Sequence, residues 1–193
     1  LPAKVDGSAV FGIDVMVPGM KIATVMACPT FGGTLARVPI PESLPAGSQV
    51  VELDDAVAVV SGSYWEAKRA LATLTPEWHL PEHSGLKQAE IYEAFEQAIA
   101  KGLDAGEFKS EVDVGDTARV IEATTQPIDV TYRAPYLAHA CMEPMNATAH
   151  AVDDRCEIWV GTQNPLGTRH AVAEALDIPP ANVTVHNHIM GGG

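Results

Sequence analysis

Four groups of residues in this sequence have types and spacings that could do chemistry. The first is Gln163, within Thr162-Gln163-Asn164-Pro165, an uncharged donor and acceptor placed just before an expected helix. Its amide suits an oxyanion or oxo group, since the free N–H groups of a helix start favour negative charge. The same four residues also read as a surface turn. The second group is Met190-Gly191-Gly192-Gly193, where glycines allow backbone N–H groups to approach a ligand closely. No Lys-Ser/Thr follows and no Gly-x-Gly-x-x-Gly is completed, so on pattern alone a flexible tail is the better reading. The third is His186 and His188, two apart on an expected strand and so facing one side. A metal would need a third ligand that the sequence does not supply, and no metal ligand is assigned. The fourth is His139-Ala140-Cys141-Met142-Glu143, where imidazole, thiol and carboxylate alternate. That matters only in an extended segment; otherwise it is a buried thiol and a capped carboxylate. A cysteine nucleophile also wants a nearby base and an electropositive setting, which this acidic chain scarcely offers.

The elements that must position these residues are a strand, a helix and a strand. Glu157-Ile158-Trp159-Val160 is a short apolar run fit for a buried strand. Asn164-Pro165 places an N-cap residue before proline at the first helical position, and Leu166, His170, Ala173 and Leu176 then recur at helical spacing. Asp177-Ile178-Pro179-Pro180 stops the helix, and Val183-Thr184-Val185 resumes as a strand. A crossover of that length joins parallel neighbours, whose carboxyl ends share one edge of the sheet. Gln163 and the glycine run therefore leave the sheet together, at the edge where open α/β sheets gather ligands.

The remainder reads as scaffold. Strands are expected at Ala9 to Val15 and Ile22 to Ala27, separated by the Pro18-Gly19 turn, and at Val50 to Leu53 and Val57 to Val60. Ser63 with Glu66 opens a helix towards Leu74. A further helix runs from Leu86 to Lys101 with Gly102 as its C′ residue; Gly115-Asp116 caps a short helix, and strands follow at Ile128 to Tyr132 and Ala147 to Val152. The 193 residues are 47 % hydrophobic and 19 % charged, ordinary for a globular core. A formal charge of −13 without a Lys/Arg cluster speaks against nucleic acid or an anionic membrane as partner, and no run is long enough to span a bilayer. Cys28, Cys141 and Cys156 suit reduced thiols better than a disulfide framework. The sequence opens at Leu1-Pro2 without a methionine and stops inside its glycine run, which reads as a piece of something longer.

These residues bear a resemblance to a known family. Thr162-Gln163-Asn164-Pro165, Val172, Leu176, Pro179, Val183 and Met190-Gly191-Gly192-Gly193 resemble the cofactor-binding segment of the large subunits of the xanthine oxidase family of molybdenum hydroxylases. Ala3-Lys4-Val5-Asp6-Gly7 with Phe11-Gly12-Ile13-Asp14-Val15 is similar to the opening of that family's α/β hammerhead domain, and Val57 to Val60 with the Trp65 helix to its close. His139 to Pro144 looks like the start of the molybdopterin-binding domain in isoquinoline oxidoreductase-like and aldehyde dehydrogenase-like subunits. Nearly the whole chain is covered.

The resemblance implies a mixed α+β and α/β fold: a hammerhead-like α/β domain over 1–82, a linker helix over 83–105, and the first βαβ part of a molybdopterin-binding domain over 106–193. It implies a molybdenum-cofactor oxidoreductase that hydroxylates an aldehyde or N-heteroaromatic carbon with water-derived oxygen and passes electrons to iron–sulfur clusters on a partner subunit or domain. By the same resemblance Gln163 is catalytic, hydrogen-bonding an oxygen ligand of molybdenum, and Gln163, Gly191, Gly192 and Gly193 contact the cofactor. Three departures stand out: the family's Phe-Gly after the three glycines and its downstream glutamate base have no counterpart here, nor is there a cysteine pattern for an iron–sulfur cluster. The chain alone is therefore expected not to turn over substrate, and to depend on the iron–sulfur subunit and on the remainder of the molybdenum subunit. A bacterial periplasmic or cytoplasmic setting fits, and no export signal is among these residues. A competing reading is a stand-alone binding or subunit-assembly module without catalysis; a small cysteine-dependent enzyme around Cys141 is a more distant one.

Overall fold

Where strong local signals bracket an apolar run, the chain folds as its sequence directs. In the computed structural model, which describes residues 2–192 apart from 107, 108, 110 and 113 and the side chains of 103 and 104, strand β7 (Arg155–Val160) and strand β8 (Val183–Asn187) are joined by helix α5 (Pro165–Leu176). The two strands are parallel, with Ile158 opposite Val185. Strand β6 (Ala147–Val152) pairs antiparallel on the other side of β7, which makes a three-stranded sheet in the order β6-β7-β8. Asn164 caps α5 by accepting a hydrogen bond from the Gly167 N–H, Pro165 stands in its first turn, and Asp177 ends it in the left-handed conformation. The face that α5 buries is narrower than the expected stripe. Ala173 is buried and Val172 packs beside it, whereas Leu166 and Leu176 stay exposed, because the core formed by Cys156, Ile158, Ala173 and Val183 spans little more than one helical turn.

The chain forms two compact units, Leu1–Met20 with Leu137–Gly193, and Lys21–Tyr136. The first unit joins the opening of the chain to its last third, because the segment around Gly12 bonds to residues near 143 and 189. The expected strand at Ala9 to Val15 does not form. Residues 3–6 make a short helix, α1 (Ala3–Asp6), Gly12–Asp14 make a 3-10 turn, and Phe11 keeps a single parallel bridge to Ile189. Side chains take the donors that a ladder would have used: Asp14 accepts from the Phe11 N–H at 3.0 Å and Glu143 from the Ile13 N–H at 3.1 Å.

In the other unit β1 (Ile22–Ala27), β4 (Ala56–Ser61) and β3 (Gln49–Glu52) form an antiparallel sheet in the order β1-β4-β3. Helix α2 (Tyr64–Leu71), capped by Ser63, buries Ala70 and Leu71 against Val57 and Val59 of β4. A short pair, β2 (Thr34–Arg37) with β5 (Glu77–His79), was not expected. Helix α3 (Gln88–Ala105) runs through Gly102, which is buried inside it; Gly106, at φ 64°, takes the left-handed position expected of Gly102. Burial outweighs the roughly 1 kcal/mol that glycine costs a helix interior. Helix α4 (Thr117–Glu122) starts at Asp116 as expected. The expected strand at Ile128 to Tyr132 is absent: these residues are exposed and no described strand pairs with them. The mixed α/β character read from the sequence holds. No described helix is long and apolar enough to cross a membrane.

Candidate functional site

The carboxyl ends of β7 and β8 are knitted together, and that fixes where Gln163 and the glycine loop leave the sheet. The His188 N–H donates to the Val160 carbonyl at 2.9 Å, one residue past the end of β8. The Thr162 N–H donates to Asn187 Oδ1 at 3.1 Å. Gly161 lies so close to the neighbouring segment that a Cβ there would stand 2.9 Å from Met190 Cγ and 3.5 Å from the Ile189 carbonyl oxygen. The chain can pass only because this residue has no side chain. Beyond it, Thr162 Oγ1 accepts from the Asn164 N–H at 3.0 Å, and Thr168 Oγ1 donates to the Asn164 carbonyl at 3.1 Å. Gln163 thus sits at the apex of a turn held on both sides. Its side chain is exposed and hydrogen-bonds to no other described residue, so both amide hydrogens are free for a ligand.

The glycine loop is held by a carboxylate. The Gly191 N–H donates to Glu143 Oε2 at 2.7 Å, and the Glu143 N–H donates back to the Gly191 carbonyl at 3.1 Å. Gly192 is exposed at φ 117°, a conformation that favours glycine, with room for ordinary contact against Cys141 and Met142. Gly193 lies outside the described residues. The structure therefore brings Gln163, Gly191 and the Glu143 segment to one edge, while Gly191 has already committed its N–H and C=O.

The other two groups fare differently. The segment from His139 to Glu143 is not extended, since Ala140 has φ 51°, and no hydrogen bond links His139 or Cys141 to Glu143. The bland reading of a capped carboxylate describes Glu143: donation from the Asn146 amide, with the backbone N–H groups of Gly191, Ile13 and Gly12, holds its carboxyl below the usual glutamate range, against a smaller opposing effect of partial burial. Cys141 is half-buried and Cys156 buried; burial pushes the Cys156 thiol up, as does the nearby Glu157 charge. All three cysteines are free thiols. His186 stacks on Trp159 at 4.9 Å between ring centres, and no cluster of three metal-binding side chains occurs among the described residues. Gly12, Ile13 and Asn146 belong to the site yet escaped the sequence reading, because their partners lie far along the chain.

Residues 100–193 match the molybdopterin cofactor-binding domain. Along its whole length the chain is similar to part of several oxidoreductase subunits. It is 32 % identical to isoquinoline 1-oxidoreductase subunit beta of Brevundimonas diminuta, over all of this chain and 26 % of that one. It is 29 % identical to the membrane-bound aldehyde dehydrogenase [pyrroloquinoline-quinone] of Gluconacetobacter polyoxogenes, again over all of this chain and 26 % of the other. Its fold superimposes on quinoline 2-oxidoreductase from Pseudomonas putida 86 with a TM-score of 0.64 at 15 % identity, covering the whole chain and 29 % of that structure. The chain thus spans about a quarter of the length of the curated relatives it matches.

Proposed function

We propose that this chain forms part of a molybdenum-cofactor oxidoreductase that hydroxylates an aldehyde or N-heteroaromatic carbon with water-derived oxygen, and that it contributes Gln163 and the glycine loop to the cofactor site. The observation that carries the reading is the common edge of β7 and β8, where an unengaged amide side chain and an exposed glycine backbone emerge from adjacent parallel strands. Such neutral donors fit an anionic, oxygen-rich group, because they bind it without a counter-charge that burial would penalise. The bound cofactor would supply the redox and oxygen-transfer chemistry. Gln163 would aim an N–H at an oxygen on which negative charge grows, Gly192 would offer its backbone, and Gly191 would shape the loop. Gly193 is proposed with them on sequence grounds.

Substrate type rests on the relatives, whose names specify isoquinoline and aldehyde. Electrons would leave through iron–sulfur clusters on a partner subunit or domain, and the remainder of the molybdenum subunit would complete the site. The match over residues 100–193 supports a molybdopterin-binding part near 106–193; a hammerhead-like part over 1–82 and a linker helix over 83–105 are proposed with it on sequence grounds. The test is Gln163→Ala in the full-length, cofactor-loaded subunit. A single donor aimed at developing charge is worth about 10²- to 10³-fold in rate, so turnover should fall by that much at unchanged molybdenum content. Unchanged turnover at full loading would remove Gln163 from the site.

A further inference from the structure

We propose that Glu143 is a positioning residue, a carboxylate latch that ties the turn at residues 11–13 to the glycine loop and so sets the backbone that Gly192 presents. Its functional half rests on the proposed cofactor reading; its structural half does not. Oε1 accepts from the Ile13 N–H at 3.1 Å and from Asn146 Nδ2 at 3.0 Å, while Oε2 accepts from the Gly191 N–H at 2.7 Å. The backbone closes the ring, since the Glu143 N–H donates to the Gly191 carbonyl. The partners lie 130 residues before Glu143 and 48 after it, so this is no local cap but the joint of three separate segments.

The chemistry of the joint selects a carboxylate of this length. Its two oxygens face donors only, and an ionised carboxylate is the one side chain that accepts at every lone pair and donates nothing. Glutamine would turn an NH₂ towards one set of donors, and aspartate would fall a methylene short of them. Glycines make room on either side. A Cβ on Gly191 would collide with Glu143 Cβ, and a Cβ on Gly12 would stand 2.7 Å from Asn146 Oδ1 and 3.6 Å from Glu143 Oε1. Besides this latch, the Phe11–Ile189 bridge ties the loop before Gly192 to the turn at residues 11–13.

The experiment is Glu143→Gln, read first by amide hydrogen exchange in the 193-residue chain and then by molybdenum content of the full-length subunit. Losing a hydrogen bond to a charged acceptor should speed exchange at Gly191 and Ile13 about 10- to 100-fold, while amides of the β7–β8 ladder keep their protection. Unchanged exchange at both sites would overturn the latch. Faster exchange with less bound molybdenum supports both halves. Faster exchange at full molybdenum loading and unaltered turnover leaves the latch standing and overturns the role of the loop in holding the cofactor. Should the variant not fold, the wild-type chain decides: protected Gly191 and Ile13 amides support the latch, and exchange there at open-peptide rates overturns it.

Discussion

Asn164 and Gly167 offer a quantitative test of how the turn bearing Gln163 is held. Asn164 Oδ1 accepts from the Gly167 N–H at 2.9 Å, a cap worth about 1 kcal/mol when the residue is replaced by alanine. Gly167 lies in the first turn of α5 under that side chain, and a Cβ there would stand 2.8 Å from Asn164 Cγ. Gly→Ala within a helix normally gains about 0.5–1 kcal/mol, but here the new methyl must push the cap aside and forfeit it. Gly167→Ala alone should therefore change stability by less than about 0.5 kcal/mol, the gain and the loss nearly cancelling. In an Asn164→Ala background no cap is left to displace, and the same substitution should stabilise by its full propensity. The double-mutant cycle should thus show coupling of about 1 kcal/mol, the value of the cap counted once. Urea unfolding measures it, with Trp65 and Trp78 replaced by phenylalanine so that Trp159 on β7 reports on this unit alone. Additive effects would mean that the methyl and the cap do not compete, and the geometry assigned to the turn would be wrong.

Three further outcomes are expected. Ile158→Ala should destabilise the β7–α5–β8 layer by about 2–5 kcal/mol in the same assay, because Ile158 belongs to a small core with few neighbours able to close the cavity. Since the folded Glu143 carboxyl is held below the ordinary value of about 4.3, its contribution is fully present above that pH and is lost as pH falls through the lower folded value. Glu143→Gln should remove that part of the acid sensitivity, while Asp6, lowered by its bonds from Ser8, keeps its own. A stability difference from wild type that is flat in pH across the acid limb would contradict this. Among the thiols, Cys156 should alkylate far more slowly than Cys28 or Cys141 in the native chain, as burial both shields it and disfavours its thiolate. Equal labelling rates would show that β7 opens freely.

The parts of the fold legible in the sequence are those whose signals are local. Asn164-Pro165 and Pro179-Pro180 bracket α5, Ser63 and Asp116 open their helices, and Pro18-Gly19 turns the chain with Gly19 at φ 76°. What the sequence hid depends on partners brought from far away. Residues 9–15 have the composition of a strand, yet their donors are captured by Asp14 and by Glu143. The β2–β5 pair joins segments about forty residues apart, and each is too short and polar to stand out. Gly102 looks like a helix end until its burial within α3 is known. The common edge from which Gln163 emerges was legible because connection length alone dictates parallel strands. Glu143 was visible as a capped carboxylate, but nothing near it in sequence names Ile13 or Gly191 as the caps.

The glycine run illustrates why residue type alone underdetermines role. Gly191 and Gly192 are neighbours of the same kind, yet their reasons for being glycine differ. Gly191 has no positive φ, and what excludes a side chain there is the Glu143 Cβ pressed against it. Gly192 has space for a Cβ, with Cys141 Cα no nearer than 3.7 Å, but its φ of 117° excludes one. The first is a requirement of packing and transmits the position of the turn at residues 11–13 through a carboxylate; the second is a requirement of backbone shape at the exposed end of the loop. In a chain of formal charge −13, such a division allows an anionic ligand to be met by amides, while the Glu143 carboxylate beside the loop is turned inward and satisfied by donors of its own. Opening Glu143 towards the edge would place a negative charge where the site needs none, so the latch both shapes the loop and keeps that charge out of it.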